Sequence, residues 1–164
     1  MKVNAVGKIS VEVRRAYLAG FIDGDGCIMA TIERHGEKKF GFRVRIEIKI
    51  TQKESGLLNT LCKEFKIGCV SKNRRIDSDY MTHDWIIRDK SHAIEILEYI
   101  KPYSRLKQKQ ITLALRILKR EILTYKDLIT NARLADTLSK WNVRSKNRRK
   151  NFATMIQTRI SSND

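Results

Sequence analysis

Long apolar runs, paired cysteines and chain breakers are all scarce in this 164-residue sequence. No stretch approaches the ~20 apolar residues that span a bilayer. The opening MKVNAVGKISVEVRR lacks the apolar run of a signal peptide, so the expectation is an intracellular protein without a membrane partner. Three cysteines (Cys27, Cys62, Cys69) form no CxxC, and His35, His83 and His92 do not complete the ligand spacing of a structural zinc site. A disulfide framework and a zinc module are therefore set aside. Aromatics make up only 7% of the chain, too few for a platform that stacks single-stranded bases. With one proline, Pro102, and eight glycines, regular structure can run almost without interruption.

What the chain has in excess is positive charge: 34 Lys and Arg against 18 Asp and Glu, a formal net charge of +16. A hydrophobic content of 41% argues for a folded protein rather than a basic tail. The charge predicts a polyanionic partner, nucleic acid or an anionic membrane surface. Residues 101–150 hold 15 Lys or Arg against Glu121, Asp127 and Asp136, and the run RSKNRRK at 144–150 lies among them. Such a run serves phosphate contact or is a solvated helix end.

The length suits one domain, 1–164, with a core over 1–123 and a helical extension over 124–164. Val13, Tyr17, Leu18, Phe21 and Ile22 have the spacing of a helix over 11–24 that buries one face. Ile28, Ala30 and Ile32, then Phe40, Phe42, Val44, Ile46, Ile48 and Ile50, alternate with polar residues in two strands. A helix over 53–66 stops at Gly68, strands follow near 69–76 and 79–87, and Ser91 caps a helix to Ile100. Ile111, Leu115, Leu118 and Ile122 mark a long helix, and two more follow at 124–140 and 147–160. Hairpins separated by helices predict an α+β fold: an antiparallel sheet with helices on one face.

The other face would carry Arg43, Arg45 and Lys49 with Thr31, Glu33 and His35. On the second hairpin the matching positions are Ser71, Asn73, Arg75, Asp79, Met81 and His83. A twisted two-stranded ribbon fits the major groove, and this mixture of donors and acceptors suits base reading. The competing reading is a solvated face whose acids, Glu33, Glu47 and Asp79, pair with neighbouring Arg and Lys.

The segment LAGFIDGDG, residues 18–26, carries the chemistry. Ala16, Gly20 and Gly24 recur every four residues, leaving a helix stripe almost bare, so a second helix can approach backbone to backbone. Two copies about a two-fold axis would set both Asp25 carboxylates side by side. Their repulsion is relieved by a cation between them, most simply Mg²⁺ with oxygen ligands. DGDG is also compatible with a plain polar turn, and the small-residue stripe with packing inside the chain's own core. An EF-hand is excluded because the sixth and twelfth positions from Asp23 are Ile28 and Arg34.

The string LAGFIDGDG, preceded by Tyr17 and followed by an alternating strand, resembles the motif of the LAGLIDADG homing endonucleases, in the group with one motif per chain. ITQK at 50–53, SDY at 78–80 and PYSRLKQKQ at 102–110 extend the resemblance over most of the first 110 residues. It implies an α-β-β-α-β-β-α core with a four-stranded saddle-like sheet per subunit. It also implies a homodimer that cuts both strands of a long, nearly palindromic DNA duplex and leaves short 3′ overhangs.

On that resemblance Asp25 is the metal-binding acid, with the Gly24 carbonyl as a further oxygen ligand. Gln52 and Lys107 surround the attacking water and the phosphate, while Asp23 ends the helix and orders the turn. Lys38 and Lys109 join the DNA-contacting set, and Ala16, Gly20 and Gly24 form the dimer interface. The implied cofactor is Mg²⁺, with Mn²⁺ able to substitute and Ca²⁺ binding without cleavage. The implied setting is a prokaryotic cytoplasm or an organelle that holds the host intron. Where some relatives carry an arginine after the Gln-Lys pair, this chain has Glu54-Ser55-Gly56. The alternatives are an RNA maturase with the same fold, and a non-catalytic DNA-binding regulator.

Overall fold

The computed structural model of the chain describes residues 9–74, 81–142 and 152–161. The elements run α1 (Val11–Asp25), β1 (Gly26–Arg34), β2 (Phe42–Gln52), α2 (Ser55–Phe65), β3 (Cys69–Arg74), β4 (Met81–Ile87), α3 (Lys90–Ile100), α4 (Gln108–Lys119), α5 (Tyr125–Asn142) and α6 (Phe152–Ser161). The four strands form one antiparallel sheet in the order β1-β2-β4-β3.

Period-two alternation decides which way the sheet faces. Ile28 lies opposite Ile48 and Ala30 opposite Ile46, and all four are buried against the helices. β4 continues this face with Trp85 and Ile87, which lie opposite Ile50 and Ile48. Trp85 is fully buried, and its indole Nε1 donates to the Ile67 carbonyl at 2.8 Å, so its polar atom is satisfied inside the core. Gly68 is required beside it. Its φ is +73°, and a Cβ there would lie 2.5 Å from the Ile86 carbonyl oxygen.

Helix α1 starts where the Ser10 hydroxyl accepts the Val13 N–H at 3.3 Å. Its buried stripe is Leu18, Ala19, Ile22 and Asp23. Burying Leu18 and Ile22 contributes about 1.5–3 kcal/mol each, which commits this face to the core. Val13 and Tyr17, expected in that stripe, instead lie more than half exposed on the same side as Ala16 and Gly20. The apolar positions of α1 thus divide between two faces, and only one of them packs inside the chain.

Two other boundaries depart from expectation for local reasons. The cap of α3 is Asp89 rather than Ser91, because the Asp89 carboxylate accepts the His92 N–H at 3.0 Å. Helix α4 ends at Lys119, since Arg120 turns extended, so Ile122 packs from the following loop. The C-terminal helices join the same hydrophobic core as the sheet: Leu128, Ala132, Ala135 and Leu138 of α5 and Ile156 of α6 are all buried in it. Asn142 Nδ2 donates to the Ile28 carbonyl of β1 at 2.5 Å, and Asp136 accepts the first N–H groups of α6 from Phe152 (2.5 Å) and Ala153 (3.1 Å). No helix among the described residues is long and apolar enough to cross a membrane.

Candidate active site and nucleic-acid interface

The end of α1 must turn sharply into β1. Gly26 makes that turn, with its N–H returning to the Ile22 carbonyl. A Cβ on Gly26 would come within 2.7 Å of that oxygen, so the last glycine of the motif is fixed by close packing. Gly20 and Gly24 differ: a Cβ on either would meet nothing within 4 Å. Among the described residues nothing packs on them, and with Val13, Ala16 and Tyr17 they form an exposed, largely apolar strip.

Asp25 lies exposed at the end of this strip. Gln52, the last residue of β2, donates its Nε2 to Asp25 Oδ2 at 2.7 Å. The two residues are brought together by the pairing of Gly26 with Ile50 across β1 and β2. Lys107 arrives from the loop before α4, and its Nζ donates to the Asp23 carbonyl oxygen. Asp25, Gln52 and Lys107 therefore converge on the C-terminal end of α1.

Asp23 does far more than end a helix. Its buried carboxylate accepts the Ser104 hydroxyl at 2.5 Å and the backbone N–H groups of Arg105 (2.6 Å), Leu106 (3.0 Å) and Lys107 (3.1 Å). Burial on its own would raise the Asp23 pKa. The hydroxyl and the converging amides outweigh burial and hold it below the usual carboxylate range. The sequence blocks LAGFIDGDG and PYSRLKQKQ thus meet through this one side chain.

The donors suited to a metal at this end are oxygens, the Asp25 carboxylate and the Gly24 carbonyl, which fit a hard divalent ion. Among the described residues no cluster of three or more His, Cys, Asp or Glu could hold a metal. Among the described residues Asp25 is the one carboxylate at this end not engaged by backbone amides, and further oxygen ligands to a metal would come from a second copy, a phosphate or water.

The outer sheet face is polar but not a row of free cations. Glu33 holds both Arg43 (2.7 Å) and Arg45 (2.6 Å), and Arg88 Nε lies 2.5 Å from Glu47. The paired-face reading is therefore realised for Glu33 and Glu47. The Arg43 hydrogen bond, with the Arg45 charge beside it, holds the Glu33 carboxyl below the usual range despite its partial burial. Thr31 lies opposite Arg45 on this face, while His35 and Lys38 belong to the turn that joins β1 to β2. Lys109 is exposed on the first turn of α4.

The second hairpin requires a correction. Odd-numbered residues of β3 lie opposite even-numbered residues of β4: Ser71 faces Asp84 and Asn73 faces Thr82. The outer face of β4 is therefore Thr82 and Asp84, whereas Met81 and His83 share the parity of Trp85. The expectation carried one parity across the turn, and the observed pairing reverses it. His83 consistently uses Nδ1 to contact the Lys53 carbonyl at 2.9 Å. Arg75 and Asp79 lie outside the described residues. Thr51, Thr82, Asp84 and Ser104 were missed by sequence reasoning. Only the register and the fold distinguish them from ordinary strand and loop residues.

Comparison with known proteins agrees with this layout. Residues 18–117 match the family model described as LAGLIDADG endonuclease. Over 105 residues the chain is 35% identical to the DNA endonuclease I-CreI of Chlamydomonas reinhardtii, covering 63% of this chain and 61% of that protein. It is 30% identical over 109 residues to the DNA endonuclease I-CvuI of Chlorella vulgaris, 66% of each. The chain thus aligns with less than two thirds of the length of I-CreI. A crystal structure of I-CvuI with its target in the presence of Ca matches with a TM-score of 0.76 and 26% identity, over 93% of this chain and 95% of that one. Motif, sheet order and these likenesses coincide on the same residues, and the chain belongs to the LAGLIDADG endonuclease family.

Proposed function

We propose that this chain acts as a homodimeric, divalent-metal-dependent endonuclease that cuts both strands of a long, nearly palindromic DNA site, as intron homing requires. The observation that carries the reading is Asp25, held by Gln52 at 2.7 Å at the end of a helix whose bare Gly20 and Gly24 face is covered by none of the described residues. Two such strips pressed together about a two-fold axis bring two Asp25 carboxylates to one place. That arrangement suits a duplex whose two strands are cut symmetrically.

The chain's residues divide the work. Asp25 and the Gly24 carbonyl hold Mg²⁺, with Mn²⁺ able to replace it and Ca²⁺ supporting binding only. The bound ion would activate water and offset charge on the attacking and leaving oxygens. Gln52 orients the Asp25 carboxylate. Lys107, anchored through Asp23, brings a positive charge to the phosphate as its negative charge grows. The outer sheet face lies along the major groove, where Thr31, Glu33, Arg43, Arg45, Lys49, Ser71 and Asn73 meet base edges. His35, Lys38 and Lys109 contact the flanking backbone. Such an activity operates inside the cell or organelle that carries the target DNA.

The test is incubation of the protein with Mg²⁺ and a randomised duplex library, followed by sequencing of the ends. Wild type should yield one roughly palindromic site, and Asp25→Asn should still bind that site without cutting it. Comparable cutting by Asp25→Asn would remove Asp25 from the reaction. A protein that binds only its structured host intron and promotes splicing would instead be a maturase.

A further inference from the structure

The central strand β4 carries a nearly buried acid on the outer face of the sheet. Asp84 is 5% exposed, yet it lies on the side away from the main core. One side chain from each flanking strand turns toward it. Thr51 of β2 donates its hydroxyl to Asp84 Oδ1 at 2.6 Å, and Asn73 of β3 donates Nδ2 to Oδ2 at 3.0 Å. Lys49 of β2 adds its ammonium at 3.4 Å from Oδ2.

We infer that Asp84 is a specificity-determining positioning residue: it touches no base itself but fixes the donor and acceptor pattern that Thr51, Asn73 and Lys49 present to the duplex. This inference rests on the DNA-cutting reading above. An ionised carboxylate accepts hydrogen bonds and donates none. The Thr51 hydroxyl must spend its only proton on Asp84, so toward a base it can act only as an acceptor. Asn73 must turn its amide nitrogen inward, which fixes where its carbonyl oxygen points. Lys49 is drawn toward the sheet and away from phosphate. Three side chains that could each present several patterns are thereby restricted to one.

The position of this cluster also says which base pairs it governs. Along β2, Thr51 adjoins Gln52 at the active site, while Arg43 lies near the far end. At ~3.3 Å per residue the separation from Gln52 to Arg43 is roughly 30 Å, about nine base pairs of duplex at ~3.4 Å each. The Asp84 cluster therefore bears on the base pairs nearest the cut, and the Glu33 pairs bear on the outer ones.

Asp84→Asn keeps the shape but replaces an acceptor with a donor. The test is cutting by wild type and Asp84→Asn on every single-base variant of the wild-type site. Discrimination should fall about tenfold, ~1.4 kcal/mol, at a few adjacent pairs near the cut, symmetrically in both half-sites. Thr51→Val and Asn73→Ala should alter the same pairs. They decide the matter if Asp84→Asn does not fold. An unchanged profile, a uniform loss at all positions, or effects of Thr51→Val and Asn73→Ala at unrelated positions would overturn the inference. A wild type that selects no duplex site would instead remove the nuclease reading itself.

Discussion

Asp23 and Lys107 are joined at both ends of the lysine. The Asp23 carboxylate accepts the Lys107 backbone N–H at 3.1 Å, and the Asp23 carbonyl accepts the Lys107 ammonium. The side chain is thus anchored to the helix that ends in Asp25, two residues further on. Small movements of the loop before α4 would otherwise swing the lysine away from the site.

Asp23→Asn should therefore impair cleavage far more than binding. The amide offers one acceptor oxygen where the carboxylate satisfies four donors, and its NH₂ would face backbone N–H groups. Leaving such buried groups unmatched costs about 1–3 kcal/mol. We expect a lower melting temperature and a cleavage rate at least tenfold down, with duplex affinity nearly kept. Equal losses of binding and cleavage would point to a general folding defect.

The same carboxylate should give the fold an acid-labile component. Its folded pKa lies below the ordinary carboxylate value, so its contribution is fully present above the unfolded pKa of about 3.9. That contribution is lost as pH falls through the folded value. The stability gap between wild type and Asp23→Asn should be constant near neutrality and close below about pH 4, as urea titrations at several pH values would show. A gap that persists unchanged into strong acid would exclude the ionised form as the stabilising one.

Much of this was legible in the sequence because the signals were local. Alternation from Phe40 to Ile50 fixed the first hairpin, and the motif fixed the helix end and Asp25. Partners distant along the chain were not legible. Nothing about Asp23 announces a bond to Ser104, which lies 81 residues on. The parity of β4 depended on a turn whose pairing the residues do not dictate, so Met81 and His83 stood in for Thr82 and Asp84. Val13 and Tyr17 misled for another reason: periodicity marks apolar faces without saying whether the chain itself or a second copy covers them.

The glycines of one motif should respond differently to substitution. A Cβ at Gly20 meets no atom within 4 Å among the described residues, and replacing a helix-interior glycine by leucine gains most of the ~0.8–1 kcal/mol of helix propensity that separates glycine from alanine. The isolated chain should fold at least as well. Sedimentation should nevertheless show monomers, because the added side chain separates the two strips. Gly26→Ala should destabilise the chain itself, since its Cβ would press on the Ile22 carbonyl at 2.7 Å. If Gly20→Leu sediments as wild type does, the interface lies on another surface.

Glu33 should set how much of the sheet's charge reaches DNA. One carboxylate holds both Arg43 and Arg45, which offsets their charge and holds it back from the phosphates. Glu33→Gln removes the negative charge while retaining the shape. Two cations per subunit are then released toward the duplex backbone. Each additional phosphate contact steepens the dependence of log affinity on log salt by about 0.9, so a dimer with both arginines redirected should steepen by up to about 3.6. Affinity for unrelated duplexes should rise at low salt while preference at the outer base pairs declines. Binding isotherms from low to moderate salt on matched and unrelated duplexes would measure both effects. An unchanged slope would mean that the arginines stay on the sheet and that Glu33 acts by contacting a base directly.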